Sequence, residues 1–231
     1  MKYPDLAIYS QAEQLANDVP PTWNNPDIVT HYWRPFRLAR EAQVTVRNLS
    51  AAAPAVNALV HFHTCPFGIG TRRELRLSRR LSLAPGEEIR LSFPLHAELM
   101  SADPRTGVHV EIEHPRDSNR LNNSGAQIHD GGYTSESGRD FPVLIPVVND
   151  RAEARRIRLS IQPTDLIATL DVSSHDFAPF EQLLVNLRIV VPAFLSGTPD
   201  DPINRSVTVI GWAGDSGELV GGITRLVRVD D

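Results

Sequence analysis

The feature that most restricts this chain is an alternation of apolar and polar residues that recurs in short runs and is broken each time before a helix could form. The clearest runs are Val44-Thr45-Val46-Arg47, Ala58-Leu59-Val60-His61-Phe62-His63, Leu75-Arg76-Leu77-Ser78, Ile89-Arg90-Leu91-Ser92-Phe93 and Val108-His109-Val110-Glu111-Ile112-Glu113. A period of two sends successive side chains to opposite faces, so each run reads as a half-buried strand. Turn residues separate them at Pro66, Pro85-Gly86, Asp103-Pro104 and Arg116-Asp117-Ser118-Asn119. Apolar residues at helical spacing are scarce; only Gln11–Ala16, ahead of Pro20-Pro21, reads as a turn of helix. Strands at this spacing predict an antiparallel sandwich, with Val44, Val46, Val60, Phe62, Leu91, Val108, Val110 and Ile112 facing its core.

The alternation lapses in the polar, glycine-rich stretch from Asn122-Asn123-Ser124-Gly125 to Gly138. It resumes in Phe141–Val148, Ile157–Ile161, Leu166–Val172, Leu183–Val191, Val207–Trp212 and Ile223–Val229. A chain of 231 residues has room for two domains of ordinary size. The expected fold is therefore all-β: two tandem immunoglobulin-like antiparallel β-sandwiches. The expected boundaries are an N-terminal extension at 1–23, a first sandwich at 24–130, a linker at 131–140 and a second sandwich at 141–231.

Composition narrows the function classes. A net charge of −5 argues against a general nucleic-acid binder, which would show a basic domain, so no nucleic-acid partner is expected. No apolar run is long enough to span a membrane. The opening Met1-Lys2-Tyr3-Pro4-Asp5-Leu6 lacks the apolar stretch of a secretory signal. The expectation is a chain that is cytoplasmic or exported by a non-classical route. The one cysteine, Cys65, cannot form an internal disulfide.

Four segments of the first half, in order, carry a family likeness. They are Asn25-Pro26-Asp27-Ile28, the strand Val44-Thr45-Val46-Arg47-Asn48-Leu49-Ser50, the turn Leu83-Ala84-Pro85-Gly86-Glu87, and the close Asp117-Ser118-Asn119-Arg120-Leu121-Asn122-Asn123. Across about residues 24–130 the chain resembles the CARDB-type domains, cell-adhesion-related immunoglobulin-like domains of bacteria. The second half has no motif so specific, though Gly217–Thr224 is similar to the last hairpin of bacterial accessory sandwiches. The resemblance implies spacing, adhesion or assembly rather than catalysis, and a bacterial setting.

Side chains that could carry chemistry cluster at His61-Phe62-His63-Thr64-Cys65. Alternation turns His61 and His63 outward. The immunoglobulin-like order makes the strand at 108–113 a neighbour, with His109, Glu111 and Glu113 beside them. His61, His63, His109 and Glu111 form a candidate surface site for a divalent metal, imidazole and carboxylate being normal zinc ligands. An outward strand face also simply wants polar residues, and His opposite Glu is an ordinary cross-strand pair. Cys65 activated by His63 is a weaker candidate, because residues two apart on a strand rarely aim at each other. Arg72-Arg73-Glu74-Leu75-Arg76-Leu77-Ser78-Arg79-Arg80 first of all guards an edge strand, and could offer Arg72, Arg76 and Arg80 to a polyanion or an acidic protein partner. Asp117, Asn119 and Asn123 could hold calcium, although such residues are default turn formers. Trp23, Trp33 and Trp212 could stack on sugars if exposed in a line. The acid pairs Asp200-Asp201 and Asp230-Asp231 read as solvated, and no P-loop, nucleophile elbow, zincin or dinucleotide motif occurs. The leading expectation is a non-catalytic binding or structural module with no cofactor, engaging an unidentified protein. The alternatives are a metal-dependent protein and a carbohydrate-binding module.

Overall fold

In each half of the chain the apolar members of most alternating runs face one another across two sheets, whereas Leu75 and Leu77 of the run at 75–78 are open to solvent. The computed structural model describes residues 3–33, 36–95, 106–128, 132–214 and 216–230. It divides into two compact units: Met1–Pro66 with Arg73–Gln127, and Phe67–Arg72 with Ile128–Asp231. Among the described residues, no helix is long and apolar enough to cross a membrane.

Unit 1 contains β1 (Leu6–Ala7), β2 (Ile28–Trp33), β3 (Phe36–Asn48), β4 (Ala55–Pro66), β5 (Glu74–Leu83), β6 (Glu88–Pro94), β7 (Thr106–Glu113) and β8 (Ser124–Gln127). One sheet is built on β3. Its Arg47 pairs with both Ala7 and Glu88, and its Val44 with both Ile28 and Leu91, so β1 and β2 share one edge and β6 takes the other. The second sheet runs β5-β4-β7-β8, antiparallel throughout. The two strand orders, connected out of sequence, give the Greek-key sandwich of immunoglobulin-like domains. All eight residues expected in the core are buried, and Phe62 of one sheet stacks on Phe93 of the other with centroids 4.6 Å apart. Asp103-Pro104, read as a turn, lies outside the described residues.

Residues 3–23, read from sequence as an extension, are folded into this unit. Leu6, Ile8 and Trp23 are buried and β1 pairs with the end of β3. The expected turn of helix is present as α1 (Gln11–Ala16), capped by Ser10. The buried Gln11 amide donates to the Thr22 and Ala126 carbonyls, which fastens the segment to β8. Short strands and caps of this kind leave no periodicity to read, because each contributes only two or three apolar residues.

Unit 2 contains β9 (Gly132–Ser135), β10 (Asp140–Val148), β11 (Arg155–Ile161), β12 (Ile167–Leu170), β13 (Ser174–Phe177), β14 (Gln182–Val190), β15 (Ile203–Ala213) and β16 (Glu218–Val229). Its sheets run β10-β14-β12 and β13-β11-β15-β16-β9. Residues 131–140, read as the linker, include β9, which pairs in parallel with β16. The change of unit falls earlier, at Gln127/Ile128. A glycine-rich segment forms a strand there through main-chain bonds to β16, which demand no alternation.

The segment 67–72, between β4 and β5 in the chain, is part of unit 2. Ile69 is buried; its N–H donates to the Pro146 carbonyl and its own carbonyl accepts from Val148, both at 2.9 Å, which covers part of the free edge of β10. The approach needs glycines. Gly68 and Gly70 have φ of +143° and +73°, and a Cβ on them would stand 2.5 Å from the Pro146 oxygen and 2.3 Å from the Val148 oxygen.

The two units share one latch. In unit 1, Asn48 at the end of β3 donates from Nδ2 to the carbonyls of Ala53 and Ala84, and its N–H bonds the Glu87 carbonyl. In unit 2, Asn149 after β10 donates to Glu153 and Ala178, and its N–H bonds the Glu181 carbonyl. Glu87 and Glu181 each return a carboxylate to the Ala84 or Ala178 N–H at 2.7 Å. Ala84-Pro85-Gly86-Glu87 and Ala178-Pro179-Phe180-Glu181 are thus the same turn used twice.

Candidate functional site

The outer face of β4 and β7 gathers the titratable side chains of unit 1. Val60 and Phe62 point into the core and so fix His61 and His63 outward; Val108, Val110 and Ile112 do the same for His109, Glu111 and Glu113. The register sets His63 directly opposite His109, and His61 opposite Glu111. The rings reach carboxylates diagonally: His61 Nε2 is 3.4 Å from Glu113 Oε2 and His63 Nε2 is 3.7 Å from Glu111 Oε2. The His61 and His63 rings are 6.5 Å apart, and those of His63 and His109 5.9 Å. All four residues of the candidate metal set therefore converge on one face.

The members differ in environment. His109 is buried; burial, then the nearby Arg73 cation and then His63, hold its pKa well below the usual imidazole value. Its Nδ1 lies 3.4 Å from an Arg73 nitrogen and 3.5 Å from Glu111 Oε1. Burial also lowers His63, opposed by Glu111 and reinforced by Arg73 and His61. His61 is anchored from β5, where Ser78 Oγ is 2.7 Å from its Nδ1. The Nε2 atoms of His61 and His63 are shielded from water yet make no hydrogen bond. Among the described residues no group of three or more His, Cys, Asp or Glu side chains, as they are placed, could hold a metal ion.

Alternation alone pointed to Glu113 but not to Ser78 or Arg73. Ser78 arrives through the β4–β5 register, His61↔Ser78, and Arg73 by folding back over β7 from the start of β5. A cleft of about 600 Å³ opens beside the cluster, lined by Leu59, Glu111, Glu113, His114, Arg120 and Asn123 among others. The Asn123 Oδ1 is shielded and makes no hydrogen bond.

The arginine segment does not act as one set. Arg72 belongs to unit 2 while Arg76 and Arg80 lie on β5. Arg76 is engaged by Thr64 Oγ1 at 2.7 Å and by Glu74, Arg79 stands over the Phe93 ring at 5.1 Å, and Arg80 is exposed. Cys65 is buried, opposite Gly107, while His63 turns to Glu111. Both oxygens of Asp117 accept main-chain N–H groups, from Leu6 and Asn119, and Asn119 Oδ1 accepts from Leu121. These oxygens close the turn rather than face an ion. Trp23 is buried, Trp212 is half-buried with its N–H donated to Ser160, and the Trp33 side chain lies outside the described set. Asp230 pairs with Arg228, and Asp231 lies outside the described residues.

No family model matches the chain, and no curated protein matches it. Among solved structures, the whole chain aligns with Escherichia coli alpha-2-macroglobulin activated by porcine elastase at 9% identity and a TM-score of 0.32. It aligns over 98% of its length with the native conformation of the E. coli protein, at 9% and 0.33. The chain spans only 22% and 17% of those two chains. A Porphyromonas gingivalis W83 protein of unknown function aligns with 83% of this chain and 91% of its own, at 12% identity and a TM-score of 0.28. These likenesses carry no functional argument; the immunoglobulin-like fold rests on the sheet orders above.

Proposed function

We propose that the chain is a non-catalytic binding or structural module that works through protein contact, with β5 as its docking edge. The observation that carries this reading is the state of β5. It spans ten residues, pairs among the described residues with β4 alone, and is exposed from Glu74 through Arg80, with Leu75 and Leu77 open to solvent among its arginines. An edge strand offers a row of main-chain donors and acceptors to an added strand. Arginines opposite each other repel a second β5, so the charge favours an acidic partner strand. The adhesion or assembly role, and the place as accessory to a larger bacterial system, follow from the CARDB-type resemblance, to which the repeated Asn latch adds a second unit of similar build.

The test is capture of a partner from the native host by the full chain, with Arg76→Glu and Arg80→Glu on β5 combined as the comparison. Exposed changes of this kind cost under about 0.5 kcal/mol each, so the variant stays folded. Loss of the partner with an unchanged melting curve is expected. Undiminished capture by the variant overturns β5 as the docking edge.

A further inference from the structure

We infer that His61 Nε2, His63 Nε2 and the Glu113 carboxylate form an open binding site for a divalent ion of the zinc class on the outer face of unit 1. This is independent of the docking role of β5.

Three observations converge. His61 and His63 present Nε2 atoms that are shielded from water and make no hydrogen bond. A buried polar atom without a partner is costly and rare, and two of them on neighbouring imidazoles mark a place where something is to be bound. The His61 ring is already oriented by Ser78 Oγ, 2.7 Å from Nδ1, and in the tautomer whose Nδ1–H donates to Ser78 the Nε2 atom carries the free lone pair. Outer contacts of this type fix metal-binding imidazoles. Finally, Glu113 Oε2 stands 3.4 Å from His61 Nε2. Ligands of a tetrahedral zinc ion, at about 2.0–2.2 Å from the metal, are themselves about 3.3 Å apart. The pair is therefore spaced as one edge of such a shell.

The remaining donors sort themselves by charge and reach. Glu111 and His109 face the Arg73 guanidinium, at 3.3 Å and 3.4 Å, which repels a cation and already occupies the Glu111 oxygen it pairs with. Among the described residues no arginine is paired with Glu113, and with 67% of its side chain exposed it can swing at little cost. His63, two residues from His61 on the same face, supplies the third ligand by a rotation of its ring, and water from the adjoining cleft completes the shell. The ligand class follows from the donors: two imidazoles and one carboxylate suit zinc and its transition-metal neighbours rather than calcium or magnesium.

The contrasting pair is in unit 2. His175 Nε2 is 3.1 Å from Glu181 Oε1 in a formed hydrogen bond, so its nitrogen is already satisfied. The test is isothermal titration of the tag-free, EDTA-treated full chain with zinc chloride at neutral pH. Uptake of one ion is expected. His61→Ala and His63→Ala should each weaken it by about tenfold or more, as loss of a ligand or its support does, and His175→Ala should leave it unchanged. His61→Gln, His63→Gln and Glu113→Gln provide variants of retained size should an alanine form fail to match the wild-type circular dichroism. Perturbation of the His61 and His63 Nε2 resonances on adding zinc is the second expected signal. No uptake by the wild type, equal uptake by the His61→Ala, His63→Ala double variant, or loss of uptake in His175→Ala overturns the site.

Discussion

Phe180 and Gly86 hold the same position in the repeated Ala-Pro-x-Glu turn, with φ of +58° and +72°. In this region a side chain costs about 1–2 kcal/mol, and 68% of Phe180 is exposed, so packing returns little of it. Phe180→Gly is therefore expected to stabilise unit 2 by about 0.5–1 kcal/mol after the added freedom of the unfolded chain is counted. Gly86→Phe should destabilise unit 1 by about 1–2 kcal/mol although nothing lies within 4 Å of its Cβ position. Urea unfolding of the two variants checks both signs. His109 gives a pH-dependent counterpart. Burial, then Arg73, then His63 hold its folded-state pKa well below the usual imidazole value, with Glu111 the facing carboxylate. A depressed imidazole stabilises the fold above its unfolded pKa, and that stability is lost as pH falls from about 6.5 toward the folded value. In chelated buffer the unfolding midpoint of the wild type should fall more steeply between about pH 7.5 and 5.5 than that of His109→Gln. Parallel slopes would remove His109 as the cause.

Among the elements, the strands with two well-populated faces were readable. β4 and β7 alternate cleanly, so core and outer face followed from sequence, and the known order of the fold made them neighbours. The contacts between β4 and β5 were not readable, because their register is set by irregularities, the breaks between Ala55 and Ala58 and between Phe62 and His63. One such register delivers Ser78 to His61. The 67–72 segment carries no periodicity at all, yet its glycines let its backbone lie against β10. Gly70→Ala is expected to destabilise unit 2 by more than about 1 kcal/mol, since the φ is left-handed and the new methyl meets the Val148 carbonyl. A melting transition of unit 2 unchanged by Gly70→Ala would contradict the packing of Ile69 there.

At the scale of the molecule, the duplicated latch was present in the letters but hidden. Asn48 and Asn149 stand 36 and 29 residues before their alanines, as the hydrogen bonds to Ala84 and Ala178 record, and phenylalanine replaces glycine in the second copy. Removing either asparagine leaves several main-chain carbonyls and N–H groups without partners. Asn48→Ala and Asn149→Ala should each cost about 2 kcal/mol or more in their own unit, read as a lowered unfolding midpoint. The sequence by itself determined the all-β class, the core positions and the outward His and Glu residues, because a period of two and its turn residues act locally. Only the tertiary structure decided that residues 3–23 pack into unit 1, that 67–72 completes unit 2, that Arg73 and Ser78 reach the histidines, and that Arg72 parts from Arg76 and Arg80. Each of these depends on main-chain pairing and register between segments distant in the chain, which hydrogen bonds specify with almost no preference for the side chains that carry them.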